Sequence, residues 1–332
     1  MNVIVTGGAG FIGSELVRYL IKATDHYVLN IDKLTYAGSL SSLGSISENP
    51  RYSFKKLDVS DRQGILEAIT LFQPDIVFHL AAESHVDRSI AEPLEFIKTN
   101  VLGTAVMLDA VNKYLSQCSE AVKNNFRFHH ISTDEVYGDR IEGSFDETAA
   151  LMPSNPYAAT KAAADMLVES WSRTHGLDYV IARPSNNYGE NQYPEKLIPT
   201  VVRRLQRGQK IKLHNNGLPI RSWTHVEDTA EAFILLYEKA CRNNIYNIQS
   251  DYEQTNLVTV TKIINAYFMG NIDVEIPDYD EHIDYNYNRP GQDIRYSISC
   301  ESIKNYGWSP KKNFNKEIIK LVDYYKKRKW IW

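Results

Sequence analysis

An α/β fold is what this sequence predicts: a doubly wound parallel sheet, then a smaller mixed α/β domain. Three features point there. Short apolar runs alternate with helical periodicity through the first half, a glycine-rich turn joins the first run to the first helix, and the pattern loosens after about residue 185.

Val3–Val5, Tyr27–Ile31, Asp75–Leu80, Phe126–Ile131 and Tyr179–Ala182 read as buried strands, being short apolar runs between polar or turn-forming residues. The longer periodic segments Ile12–Ile21, Arg62–Phe72, Leu94–Tyr114 and Ala158–Trp171 read as helices. Ser60, with Gln63 three residues on, is a candidate capping box for the second. Farther along, Pro194, Pro199, Pro219, Pro277, Pro290 and Pro310 punctuate a stretch rich in aromatic and polar residues. Residues 1–185 are therefore expected to form a dinucleotide-binding domain carrying the catalytic groups. Residues 186–332 are expected to form the smaller substrate domain, with some segments returning to the first. There is no internal repeat or low-complexity tract.

At 332 residues, 43% of them hydrophobic, the chain is long enough for one large core or two modest ones. A net charge of −4 argues against a general nucleic-acid binder. The basic run Lys326-Lys327-Arg328-Lys329 reads as a solvated helix end. Cys118, Cys241 and Cys300 lie far apart with no metal-ligand spacing, so no metal is expected, and reduced thiols fit a cytoplasmic protein. Met1-Asn2 leads straight into a strand-like run, so no secretory leader is expected. No apolar stretch nears the roughly 20 residues of a membrane span.

Val3–Thr6 runs into Gly7-Gly8-Ala9-Gly10-Phe11-Ile12-Gly13 and then a helix. Glycines let backbone approach a pyrophosphate, and the helix N-terminus offers free N–H groups with a favourable dipole. Asp32 closes the second strand about 20 residues on, as a Rossmann-type fingerprint requires. Its carboxylate can accept from an adenosine ribose and repels a 2′-phosphate, which favours NAD over NADP, a preference softened by Lys33. Asp58-Val59 either meets the adenine or is plain loop.

Tyr157 and Lys161 share a helix face, with Pro156 suited to the helix start. A free phenol has a pKa near 10 and is a poor base at neutral pH; a neighbouring ammonium and a cationic nicotinamide ring are expected to lower it. Taken alone, this spacing is more often structural. Thr133-Asp134-Glu135 follows the strand at 126–131, where ligands bind in open parallel sheets. Adjacent carboxylates can divide acid and base work when their environments differ. In a regular strand they would point to opposite faces, so both can serve only if the chain bends.

The glycine turn, Ala81–Ser89, Ser132–Gly138, the Tyr157/Lys161 couple, Ser185–Gly189 and Tyr193–Pro199 together resemble the dTDP-glucose 4,6-dehydratases, of the extended short-chain dehydrogenase/reductase superfamily. The resemblance runs from Met1 to about Trp308, and the Thr-Asp-Glu trio is its most specific element. It implies that Tyr157 takes the C4 hydroxyl proton as NAD accepts the hydride, with Thr133 bonding O4 and Lys161 holding the nicotinamide ribose. Glu135 would then remove the C5 proton while Asp134 protonates the departing C6 hydroxyl, and hydride return to C6 would give a 4-keto-6-deoxy sugar. It also implies NAD contacts from Phe11, Ile12, Asp32, Lys33, Leu34, Thr35, Asp58, Val59, Leu80, Ala81, Ala82, Thr99 and Asn187. Sugar-nucleotide contacts would come from Ser84, Asn186, Lys196, Leu197, His214, Arg221, Asn256 and Arg289. On its own, Arg221 would read as a surface or interface ion-pair residue and Asn256 as a loop or capping one.

The sequence departs from the family pattern at Asn288 and Gln292, within Asn288-Arg289-Pro290-Gly291-Gln292-Asp293, and at His214, where relatives carry an aromatic. It also stops at Trp332, earlier than many relatives. These departures leave UDP-glucose open beside dTDP-glucose. A 4-epimerase needs Tyr157 and Lys161 but neither carboxylate, and a silent NAD-binding regulator would need none of the five. By analogy the resemblance implies a homodimer built on the helices at 94–114 and 158–171.

Overall fold

The computed structural model describes residues 1–288 and 292–328. Along β1 (Asn2–Thr6), Val3 and Val5 face one side and Ile4 the other, all fully buried. A strand apolar on both faces needs cover on both, and helices supply it. Helix Phe11–Ala23 brings Leu16, Val17 and Leu20 to the first face, joined by Phe233 and Leu236 of helix Val226–Lys239. Helices Arg62–Phe72, Gly103–Ser116 and Pro156–His175 cover the second with Ile65, Met107, Val111 and Val168.

The remaining strands are β2 (Tyr27–Asp32), β3 (Tyr52–Lys56), β4 (Ile76–His79), β5 (Arg127–Ile131), β6 (Tyr179–Pro184), β7 (Asn186–Tyr188), β8 (Ile211–His214), β9 (Ile220–His225), β10 (Asn244–Ile248), β11 (Glu253–Thr255) and β12 (Ile283–Tyr287). Seven form one parallel sheet in the order β3-β2-β1-β4-β5-β6-β10. The strands expected from apolar runs are its five central members. β3 and β10 are the edges, each with exposed or half-buried positions that dilute the apolar signal. The chain leaves β1 for β2 on one side and returns to β4 on the other. That reversal opens a crevice at the carboxyl ends of β1 and β4, where α/β sheets bind ligands.

Two local expectations are corrected. The helix at 62–72 is capped by Asp61, which accepts from Gly64 N–H at 3.1 Å; Ser60 turns back to Asp58, and Gln63 pairs with Glu67. The helix expected at 94–114 is divided into Pro93–Phe96, a π-helical stretch Ile97–Leu102, and Gly103–Ser116. A wider turn re-aims side chains relative to an α-helix, and this one buries Thr99 and Asn100.

The later part of the chain has its own apolar cluster, with Ile198 and Val202 of helix Leu197–Gln206, Ile263 and Ile264 of helix Asn256–Met269, and Ile318 and Leu321 of helix Phe314–Lys327. Two small sheets, β11-β9-β7 and β12-β8, sit with it. Among the described residues no helix is long and apolar enough to cross a membrane.

Candidate active site

The turn after β1 is narrow because it lacks side chains. Gly7 lies at φ 71°, where a Cβ would stand 2.8 Å from the Ala81 nitrogen, and a Cβ on Gly13 would run into the Gly7 carbonyl oxygen. Gly10 caps helix Phe11–Ala23 without a side-chain hydrogen bond, so no capping side chain covers the N–H groups of the first turn. A backbone cradle at a helix N-terminus suits a pyrophosphate.

Asp32 ends β2 beside this cradle. Its Oδ2 accepts from Ala9 N–H at 3.0 Å and its Oδ1 from Leu34 N–H at 2.8 Å, which ties the glycine turn to the β2 loop. Burial pushes its carboxyl up, against those two bonds. Lys33 Nζ donates to Thr99 Oγ1 at 3.2 Å and lies 3.6 Å from Asp58 Oδ2. Gly7, Gly10, Phe11, Ile12, Gly13, Asp32, Lys33, Thr35, Val59, Leu80, Ala81, Ala82, Thr99 and Asn187 all line one cavity. Leu34 and Asp58 are beside it but not on its wall.

At the other end of that cavity stand Thr133, Asp134, Glu135, Tyr157 and Lys161. The bend that two adjacent carboxylates require is present: β5 ends at Ile131 and a 3₁₀ turn runs Asp134–Tyr137, capped by Thr133 Oγ1 on Glu135 N–H at 3.3 Å. Helix Pro156–His175 starts beside it with Pro156 at its first position and Asn155 Oδ1 accepting from Ala158 N–H at 2.9 Å. That places Tyr157 and Lys161, both buried, one turn apart on the inner face.

The two carboxyls differ in surroundings. Burial, then the neighbouring Glu135 charge, pushes Asp134 up to about 8, with Arg221 and the Thr133 hydroxyl pulling the other way. Thr133 Oγ1 is 3.2 Å from Asp134 Oδ1, and buried Oδ2 has no hydrogen-bond partner. Burial also raises Glu135, against the charges of Arg221 and Lys196 and a 3.4 Å bond from Asn155 Nδ2. Burial and the Glu135 charge therefore both favour the protonated form of Asp134.

The expectation that Lys161 lowers the Tyr157 phenol needs correction. Lys161 Nζ donates to the Ile131 carbonyl at 2.7 Å, and burial pushes its own pKa down to about 8 against the pull of Asp165. Burial and the Glu135 charge raise the Tyr157 phenol, opposed by a Thr133 hydrogen bond. In the chain by itself the phenol is a weak acid, so a further positive charge is needed to make it a base.

Of the residues expected to hold sugar nucleotide, Ser84, Asn186 and Lys196 line the cavity, Lys196 Nζ donating to the Ser84 carbonyl at 3.0 Å. Buried Arg221 on β9 lies outside that wall, yet its charge reaches both carboxyls; its guanidinium stacks 4.3 Å from the Tyr296 ring centroid. Leu197 opens its helix, half-buried against the apolar cluster, and Asn256 opens the helix at 256–269. His214 ends β8, 6.2 Å edge-on from the Tyr287 ring. Arg289 lies outside the described residues.

Sequence reading missed several groups. Tyr296 donates to Glu135 Oε2 at 3.3 Å, a contact that spans 161 residues and has no local signature, and also bonds Asp293 three residues away. The Tyr36 hydroxyl donates at 3.0 Å to Oε1 of Glu195, a residue of the cavity wall, and the Arg88 guanidinium lies 4.0 Å from the Tyr36 ring centroid. Asn155 could have been read from its place directly before Pro156. Among the described residues no group of His, Cys, Asp and Glu is placed to hold a metal ion.

A dinucleotide cradle opening onto a Tyr/Lys couple on the adjoining helix defines a protein of the short-chain dehydrogenase/reductase type, here with a carboxyl pair added. The family model described as GDP-mannose 4,6 dehydratase matches residues 4–321. The chain is 46% identical to a dTDP-glucose 4,6-dehydratase of Salmonella typhimurium, over 98% of this chain and 92% of that one. A dTDP-glucose 4,6-dehydratase of Streptomyces venezuelae, solved with NAD bound, superposes with a TM-score of 0.90 at 35% identity, covering 99% and 98% of the two chains. A UDP-glucose 4-epimerase of Thermotoga maritima shares the architecture at 0.84 and 29%, covering 98% and 99%. The chain belongs to the dTDP-glucose 4,6-dehydratase family.

Proposed function

We propose that this enzyme is an NAD-dependent hydro-lyase that converts dTDP-glucose to dTDP-4-keto-6-deoxy-glucose. The observation that carries the chemistry is the pair of carboxyls, Asp134 and Glu135, set in one turn on the wall of the cavity that Tyr157 and Lys161 also line. A simple C4 oxidation or epimerisation needs neither group; loss of water needs an acid and a base. The cradle at Gly7–Gly13, Asp32 and the buried, unpartnered Asn187 Oδ1 fit a dinucleotide.

NAD bound there supplies an acceptor for the C4 hydride, its return to C6, and a positive charge in the cavity that Tyr157 lines. Tyr157 takes the C4 hydroxyl proton, with Thr133 hydrogen-bonding that oxygen and Lys161 holding the ribose next to the nicotinamide. The C4 ketone then acidifies C5–H, and Glu135 removes that proton. Asp134 delivers its own proton to the C6 hydroxyl, which leaves as water, and Glu135 gives its proton back to C5 once C6 is reduced. Arg221 meets the diphosphate, where its planar fork matches phosphate oxygens.

Residues 1–185 act as the dinucleotide side and 186–332 as the sugar-nucleotide side. β10 and the helix at 226–239 return to the large sheet. Ile90, Leu94, Ile97 and Met166 are exposed on neighbouring helical segments and suit a homodimer interface. Sedimentation of Leu94→Glu/Met166→Glu tests this: the pair should give a monomer, and an unchanged species rules the face out. The composition and reduced thiols fit a cytoplasmic enzyme.

NMR of the product after incubation with dTDP-glucose, beside UDP-glucose, tests the reaction. A C6 methyl with a C4 ketone is expected with dTDP-glucose. A galactose product would make this an epimerase, and a faster UDP substrate would overturn the nucleotide.

A further inference from the structure

A second polar cluster lies in the core, and no step of the dehydration uses it. Asp165 stands one helical turn beyond Lys161 and is 1% exposed. Its Oδ2 accepts from Arg183 Nε on β6 at 2.9 Å, while His130 Nε2 on β5 lies 3.4 Å from Oδ1. Arg183 also donates to the Tyr137 hydroxyl at 2.7 Å, with its guanidinium 4.8 Å from that ring's centroid. The Tyr137 hydroxyl donates onward to Asn247 Oδ1 on β10 at 2.9 Å, and the ring stacks on Phe145. Tyr137 is the last residue of the turn that begins with Asp134 and Glu135.

Stability alone is a poor reason for such a cluster. Taking a guanidinium and a carboxylate out of water costs about as much as their pairing returns, and apolar side chains of equal volume would hold the core as well. Apolar packing does not supply direction. Charge-assisted bonds with fixed angles do, and here they join the helix of Tyr157 and Lys161 to the turn of Asp134 and Glu135. Those two elements must address neighbouring carbons of one sugar ring.

We propose that the Asp165–Arg183–Tyr137 bridge is a positioning element that holds the elimination pair in register with the oxidation couple. The assignment rests on the dehydratase reading above. None of the three residues lines the cavity, so they act through the groups they hold.

Tyr137→Phe removes the hydroxyl and leaves the ring on Phe145. Mixing holoenzyme with dTDP-glucose in a stopped-flow instrument resolves two phases of reduced-nicotinamide absorbance, a rise as C4 is oxidised and a decay after water is lost. The variant should keep the rise within about threefold of wild type and slow the decay about tenfold or more, the scale of a small misplacement of reacting groups. In the nucleotide-free chain, amide exchange should quicken at residues 133–138. Arg183→Lys keeps the charge opposite Asp165 but lacks the fork that reaches both partners, so it should show the same split. It decides the matter if the Phe variant does not fold. Equal slowing of both phases, or an unchanged decay, overturns the bridge's role. A wild-type holoenzyme that turns dTDP-glucose into no C6-methyl product overturns the dehydratase reading and the bridge with it, and that failure is visible before either variant is compared.

Discussion

Replacing Asp134 by Asn keeps the shape of the side chain and removes its ability to ionise. In the folded chain this carboxyl is held at about 8, against 3.8 for an unperturbed one. Between those values the folded state keeps a proton that the unfolded state has lost. Stability from the group is therefore complete below 3.8 and is lost as pH rises to about 8. Each pH unit across that interval removes about 1.4 kcal/mol, on the order of 5 kcal/mol in all. The Asp134→Asn variant would lose none of it, and any fixed difference between amide and acid drops out of a pH series. Urea unfolding of the nucleotide-free proteins at five pH values should show the D134N advantage growing from about pH 5 to about pH 8, then levelling. A constant difference over that interval would mean that Asp134 ionises as freely in the fold as out of it. The general-acid role would then lose its physical basis.

Glu135→Gln should stop water loss yet still allow bound NAD to be reduced on adding dTDP-glucose; a folded variant with no reduced-nicotinamide signal would count against separate oxidation and elimination. Tyr157→Phe should lose both steps by about 10²-fold or more, and turnover at the wild-type rate would remove Tyr157 as base. Tyr36→Phe deletes the hydroxyl that bonds Glu195 on the cavity wall. Loss of a hydrogen bond to a charged group should speed NAD release about tenfold, measured by nicotinamide fluorescence after dilution; an unchanged release rate would show that this contact does not retain the cofactor.

Much of the fold was legible because its signals are local. β1, β4 and β6 are covered on both faces, so their apolar runs stand out whatever lies beside them. β3 reads Tyr-Ser-Phe-Lys-Lys, half-buried at the sheet edge, and carries no such run. The π-helical turn at 97–102 was hidden for a related reason: an inserted widening changes which way Thr99 and Asn100 face, not which residue types occur.

The site divides in the same way. Gly7, Gly13 and Asp32 sit at intervals set by one strand–helix–strand unit, and Tyr157 and Lys161 at one helical turn, so the chain's own periodicity put them together. Thr133, Asp134 and Glu135 were visible as a trio, but their bend and the upward push on both carboxyls were not. The push depends on burial and on Arg221 and Asn155, which reach the pair from β9 and a helix cap, while Tyr296 bonds Glu135 from a segment 161 residues away. Sequence by itself determined which groups stand at hand, through spacings short enough for a single element to enforce. Only the tertiary structure decided which of them hold a proton, because desolvation and through-space charge depend on neighbours that the chain brings close only by folding.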